Sequence, residues 1–294
     1  MEISIVTLNY HKSHLTLACI HSLWEQFSTE FLSDAIELII VDNHSQDDSI
    51  EQIEKAIVTS KWKNITLVKN TKNDGFAKGC NIGATRAKGK YILFLNNDTL
   101  IKDRGIITMK EFMDMHDSIA ILGGKLVNRD GTPQSCVGSF YSPISILLLL
   151  TGLQKYGMVD KNPEKIKKVD WVKGGLLMVR EGVFNKLGGF DENIFMYTED
   201  MEFCYRAKQQ GFDVYFYPDI SVYHKESGSS NRTFAVIHIY KNLLYFYKKH
   251  KSYAEYVYVK TLLRLKAMAL IGIGRVQNNP YYISTYEKAL EETR

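Results

Sequence analysis

The chain has 294 residues, enough for one large domain or two modest ones. Hydrophobic residues make up 45% and charged residues 24%, which excludes a disordered chain, and 20 Gly with 5 Pro excludes collagen. The net charge of +4 is too mild to argue for nucleic acid, and no apolar run reaches the roughly 20 residues of a membrane-spanning helix.

The opening segment Met1-Glu2-Ile3-Ser4-Ile5-Val6-Thr7 lacks a basic start and reads as a strand rather than a secretory signal. Cys19, Cys80, Cys136 and Cys204 stand far apart without a CxxC pair. That spacing points away from zinc and disulfides and toward reduced thiols in a cytosolic protein.

Ile3 to Leu8 is a short β-branched apolar run, followed by Leu15, Leu17, Ile20, Leu23 and Phe27 at helical spacing. Glu37 to Val41 is a continuous apolar run ending in Asp42-Asn43-His44-Ser45, the pattern of a strand buried on both faces of a parallel sheet. A helix over about Asp48–Ser60, a strand at Ile65–Val68, a helical stretch over Gly75–Ala87 and a strand at Tyr91–Leu95 follow. This alternation predicts an α/β domain with a mostly parallel sheet, whose ligands bind beyond the carboxyl ends of the strands. Three of those ends are polar and can converge: Thr7-Leu8-Asn9, Asp42-Asn43 and Asn96-Asn97-Asp98.

The second half is less regular, and spacing assigns no element from 101 to 143. The apolar run from Ile144 to Leu150 is too short for a bilayer and reads as core. Lys161–Lys168 is a solvated connector, Val169–Val179 a strand around Gly174-Gly175, and Val183–Leu187 a helix closed by Gly188-Gly189. A helix over Asp200–Gln210 ends at Gly211, and a strand over Val214–Tyr217 stops at Pro218. From Thr233 the pattern is helical and aromatic.

Each candidate site residue has two readings. Asp98 ends a strand and either holds a hard divalent cation or closes a turn. Asp42 either accepts from a ligand N–H or caps its own turn. Glu199-Asp200 opens a helix and either caps it or supplies a general base. His224 is either structural or a nitrogen ligand for Mn²⁺. Gly75-Phe76-Ala77-Lys78-Gly79 is not a Walker loop, and no dinucleotide fingerprint follows a strand.

Taken in order, these segments resemble family 2 glycosyltransferases, closest to the rhamnosyltransferase-like branch. The resemblance rests on Ile3–Tyr10, Ile39–Ser45, Asn73–Gly83 and Ala87–Thr99. It continues through Gly188-Gly189-Phe190-Asp191-Glu192, Phe195–Asp200 and Tyr217–His224. It implies a GT-A fold, with a Rossmann-like central sheet, a fused acceptor-binding part and C-terminal helices. The implied boundaries are 1–232 for the catalytic domain (nucleotide-binding to about 100, acceptor-binding from about 101) and 233–294 for a helical extension.

The resemblance implies inverting transfer of a sugar from dTDP-L-rhamnose or a UDP-hexose to a glycan or lipid-linked acceptor, in bacterial surface polysaccharide synthesis. Asp200 then matches the catalytic base, with Glu199 in reserve. Asp98 and His224 match ligands of Mn²⁺ or Mg²⁺. Asp42 and Asn97 match residues that meet the base and the ribose, Thr7 and Asn9 frame the base, and Asn73 and Gly75 pass near the nucleotide. Gly174 and Gly175 lie where backbone nears the donor sugar. Asn96-Asn97-Asp98 carries one carboxylate where the family motif has two or three. Lys241-Asn242 stands where many relatives carry Arg-Asn, and Lys lacks the bidentate fork for a diphosphate. The alternative is a non-catalytic sugar-nucleotide or glycan-binding protein on the same fold. The basic, aromatic stretch 241–275 suits the inner face of an anionic membrane, a homodimer contact or plain packing, and the implied compartment is the cytoplasm.

Overall fold

The computed structural model describes residues 1–140, 142, 145–146, 162–225 and 232–294. Most of the apolar run from Ile144 to Leu150 lies outside them. The chain divides into two compact units: 1–138 with 162–195 and 199–229, and 139–161 with 196–198 and 230–294.

The first unit begins with the alternation read from spacing. Strands β1 (Ile3–Asn9), β2 (Ile36–Asp42), β3 (Ile65–Lys69) and β4 (Tyr91–Leu95) are linked through helices α1 (Ser13–Leu32), α2 (Ser49–Thr59) and α3 (Phe76–Ala84). They pair in parallel in the order β3-β2-β1-β4. All seven residues of β2 are buried, which explains its unbroken apolar run.

The sheet then turns mixed. After the short strand β5 (Thr99–Leu100), helix α4 (Gly105–Asp114) and strand β6 (Ile119–Val127) occupy part of the stretch to which spacing assigned nothing. Two short strands, β7 (Val137–Gly138) and β9 (Trp171–Val172), make a separate pair, and β8 (Lys167–Lys168) joins the main sheet. Strand β10 (Leu176–Arg180) inserts antiparallel between β4 and β6. Helices α5 (Glu181–Lys186) and α6 (Glu199–Gln209) precede β11 (Asp213–His224), which lies parallel to β6 and antiparallel to β5.

Two strand expectations are corrected. The run Val169–Val179 is two strands, β9 and β10, because the chain turns at Gly174-Gly175. Pro218 does not stop β11, which continues to His224. The pairing with β6 shifts between Tyr217 and Ser221, so a residue without an N–H interrupts no ladder bond there.

All four cysteines are buried free thiols, and burial pushes the Cys19 thiol up to about 12. Gly79 and Gly83 are one turn apart on α3 and let it lie close on β1. A Cβ at either would run into Leu8 or Val6.

In the second unit, α7 (Arg232–His250), α8 (Tyr253–Val276) and α9 (Pro280–Glu291) pack together. Ser252 and Glu255 form a reciprocal capping box at the start of α8, and Asn279 caps α9 with Pro280 in its first turn. The Thr233 and Thr285 hydroxyls meet at 2.8 Å between α7 and α9. Among the described residues, no helix is long and apolar enough to cross a membrane.

The close approach of α3 to β1 sets a stability test. Gly83→Val destabilises the chain by about 1–3 kcal/mol in a urea titration, because its side chain collides with Val6 and Val41. Gly182→Ala on α5, where a Cβ meets nothing within 4 Å, leaves stability unchanged or slightly raised.

Candidate active site

Register brings the polar strand ends together. Asn9 lies opposite Asp42 in the β1–β2 pair. The Asn9 amide donates to Asp42 Oδ2 at 2.7 Å, and Asn9 Oδ1 accepts from Thr16 at 2.7 Å. Asn97 donates to the same Thr16 hydroxyl at 2.9 Å, tying the β4 end to the other two. Asp42 also accepts from the Ser45 N–H at 2.8 Å and the Ser45 hydroxyl at 2.7 Å, and is fully buried. Those two bonds cap the turn that follows β2. Thr7 Oγ1 is buried without a partner among the described residues.

Asn43 organises the next loop. Its amide donates to Gly75 O at 2.9 Å and Asn73 Oδ1 at 3.2 Å, and Asn73 Oδ1 accepts from Gly75 N–H at 3.0 Å. Gly75 has φ +95°, and a Cβ there would run into the Phe195 carbonyl, which accepts from Phe76 N–H at 2.6 Å. Asn81 exchanges two 2.9 Å hydrogen bonds with the Phe190 backbone, so α3 holds the loop that leads to Glu199.

The β5–β11 pairing sets His224 opposite Thr99, one residue from Asp98. His224 Nε2 lies 3.3 Å from Asp98 Oδ1 and 3.0 Å from the Asn96 amide. On the other side of the ring, Nδ1 is 2.8 Å from Gln134 Oε1. The donor set is one carboxylate and one imidazole, with no group of three or more His, Cys, Asp or Glu among the described residues that would hold a metal unaided.

Glu199 and Asp200 open α6. Asp200 Oδ2 accepts from Gly174 N–H at 2.9 Å and Oδ1 from Met201 N–H at 2.7 Å. Burial pushes the Asp200 carboxyl up, opposed by those two N–H groups and the Lys173 charge. Burial, reinforced by the Asp200 carboxylate, pushes Glu199 up to about 8, and its Oε2 has no partner among the described residues. The glycine pair bridges the two ends of the site. Gly174 binds Asp200, and Gly175 O accepts from Asn96 N–H at 3.2 Å, with no room for a Cβ beside Leu126.

The first unit therefore brings all the expected site residues to one edge of its sheet and the loops beside it. Sequence reasoning passed over Thr16, Ser45, Asn81, Gln134 and Lys173. Gln134 follows an Asp130-Gly131 turn dipeptide, the one local signal that marked its hairpin. In the second unit, the backbone at Tyr197 and Thr198 is left-handed, φ +69° and +67°, and the Asn242 amide donates to the Met196 and Tyr197 carbonyls at 2.8 Å each. Asn242 of the Lys-Asn pair is thus an anchor for that turn.

A parallel four-stranded half continued by a mixed half defines the GT-A class of glycosyltransferases. Solved structures agree on the fold. A Pyrobaculum calidifontis mannosyltransferase in complex with GDP-Man and Mn²⁺ aligns with TM-score 0.60 at 17% identity, over 99% of this chain and 74% of that one. GalNAc-T7 with UDP, GalNAc and Mn²⁺ aligns with TM-score 0.60 at 16% identity, over 95% and 58%. The family profile described as Glycosyl transferase family 2 matches residues 4–164, and Glycosyl transferase family group 2 matches 91–275. The chain belongs to glycosyl transferase family 2.

Among curated relatives, the low-salt glycan biosynthesis hexosyltransferase Agl10 of Haloferax volcanii is 26% identical over 72% of this chain and 64% of its own length. The dTDP-rhamnosyl transferase RfbF of Shigella flexneri is 27% identical over 67% and 62%. The chain thus spans just under two thirds of these relatives.

The elevated Glu199 carboxyl fixes a pH test. From its ordinary 4.5 to about 8, the folded chain keeps a proton that the unfolded chain has lost. Stability therefore falls as pH rises through that window. Glu199→Gln flattens the fall in urea midpoints measured across it, and an unchanged slope refutes the buried-acid assignment.

Proposed function

We propose that the chain is an inverting glycosyltransferase that moves a rhamnosyl or hexosyl group from a nucleoside diphosphate donor to a glycan or lipid-linked hydroxyl, with Asp200 as general base. The observation that carries this reading is the Asp200 carboxylate, clamped by two backbone N–H groups and lifted by burial toward the working range of a base. The acceptor oxygen bonds to the anomeric carbon as the bond to the diphosphate breaks. The proton passes to Asp200 and the electron pair leaves on the diphosphate. Glu199, kept neutral by burial at neutral pH, adds no competing charge beside it.

Asp98 and His224 are the residues that would hold Mn²⁺ or Mg²⁺. Their 3.3 Å separation suits neighbouring ligands on one hard cation, and as the two protein donors among the described residues they would leave positions for donor oxygens. When bound, the metal neutralises charge on the leaving diphosphate. Thr7, Asn9, Asp42, Asn73, Gly75 and Asn97 form the nucleotide side. Gly174 and Gly175 form the sugar side. The dTDP-rhamnosyl transferase of Shigella flexneri supports a dTDP-rhamnose donor, and the Haloferax hexosyltransferase supports a hexosyl donor.

The test is a thermal-shift panel of UDP, dTDP, GDP and their sugar conjugates with Mn²⁺, Mg²⁺ or EDTA, followed by transfer assays. Asp200→Asn lowers turnover at least about a hundredfold and keeps the nucleotide shift. Asp98→Ala loses the metal-dependent part of the shift. Near-normal turnover in the first variant refutes the base, and an unchanged metal dependence in the second refutes the ligand.

The acceptor side of this reading includes contact with an anionic lipid surface through α8. Val257, Tyr258, Leu265, Met268 and Val276 on its outward face are each at least 40% exposed. The charged residues of α8 are Lys260, Arg264, Lys266 and Arg275 against Glu255, which the capping box already engages. An exposed apolar stripe with basic flanks fits that surface. Vesicles containing phosphatidylglycerol sediment the chain, and Leu265→Glu with Met268→Glu together reduce the bound fraction. Equal sedimentation of variant and parent ends this part of the reading, and concentration-dependent self-association instead assigns the face to a second copy.

A further inference from the structure

Gln134 is buried, 6% exposed, on a strand-like return from the tight turn at Asn128–Pro133. The turn is set by hydrogen bonds of its own. Asn128 N–H donates to Thr132 O at 2.8 Å, Thr132 N–H donates to Asp130 Oδ1 at 3.0 Å, and Gly131 has φ +84°. Gln134 N–H then donates to Leu126 O at 2.9 Å, which fixes where its side chain leaves the backbone.

The orientation of that side chain follows from its partners. Its Nε2 donates to the His224 carbonyl at 3.0 Å and to Asn128 Oδ1 at 2.8 Å. A carbonyl only accepts, so the amide cannot be flipped. Gln134 Oε1 therefore faces His224 Nδ1 at 2.8 Å, and an amide oxygen only accepts. In the neutral ring the proton must sit on Nδ1, leaving the Nε2 lone pair bare on the side of Asp98, where the Asn96 amide can donate to it at 3.0 Å.

We propose that Gln134 is a positioning residue that locks His224 in its Nδ1–H tautomer and so presents Nε2 as a metal ligand beside Asp98. The metal half of this inference rests on the function proposed above, and the tautomer half does not. A hydrogen bond to the far nitrogen of a ligating imidazole fixes both ring orientation and tautomer, and its loss typically costs 10–100-fold in metal affinity.

Two measurements on the whole chain separate the halves. Long-range ¹H–¹⁵N spectra of histidine-labelled, EDTA-treated protein report the tautomer. The wild type shows His224 protonated at Nδ1, and Gln134→Met, which keeps the length but removes the acceptor, does not. Gln134→Glu retains an acceptor for Nδ1–H and keeps the tautomer. If Gln134→Met does not fold, the wild-type and Gln134→Glu spectra still decide, and a wild-type His224 protonated at Nε2 overturns the proposal. The free Mn²⁺ signal in electron paramagnetic resonance, with saturating UDP, dTDP or GDP, reports affinity. Gln134→Met weakens Mn²⁺ by about 10–100-fold, Gln134→Glu restores part of the loss, and His224→Ala weakens it at least as much. Weakening in His224→Ala without weakening in Gln134→Met overturns the positioning role. Unchanged Mn²⁺ affinity in His224→Ala removes the metal reading, and the tautomer spectra then judge Gln134 alone.

Discussion

The parallel, in-register pairing of β1 with β2 and β4 is the constraint from which the site follows. Parallel strands end on the same edge, so Asn9, Asp42 and the Asn96–Asp98 turn arrive together without any long-range steering by side chains. Those ends carry polar groups that burial would penalise if left unpaired. The Asn9–Asp42–Ser45–Thr16–Asn97 network satisfies them mutually. The edge is therefore rigid as well as polar.

Antiparallel insertion of β10 joins the two chemical ends of that edge. The turn before β10 is Gly174-Gly175, and each glycine serves a different end, one through an N–H to Asp200 and the other through a carbonyl to Asn96. A side chain at Gly175 would collide with Leu126, so close packing and site geometry demand the same residue type. The spacing between Asp200 and the Asn96–Asp98 turn is thus set by backbone, which moves less than side chains.

The site also concentrates electrostatic stress. Glu199, buried, and Asp200, half-buried, stand side by side at the first turn of α6, where free N–H groups favour negative charge, yet desolvation lifts both carboxyls. Two neighbouring carboxyls with different backbone support suit different protonation states. Asp200 has two N–H donors and is the one stabilised as an anion.

Much of the first hundred residues was legible in the sequence, because a buried parallel strand must be apolar along its whole length and must stop at a polar turn. Period and punctuation gave β1 to β4, the helices between them and the convergence of their ends. Local spacing failed where strands are short or broken by pairing: β6 and α4 went unassigned, β9 and β10 were read as one, and β11 was cut at Pro218. The ordered motifs named Asp98, Asp200 and His224 one by one. Only the tertiary structure put His224 beside Asp98, since their approach depends on antiparallel pairing of β5 with β11 across 126 residues of chain, and only it turned Gln134 toward the far side of that ring. Sequence fixes which groups are present and which local shapes they favour. Hydrogen-bond registry between distant strands decides which of them meet.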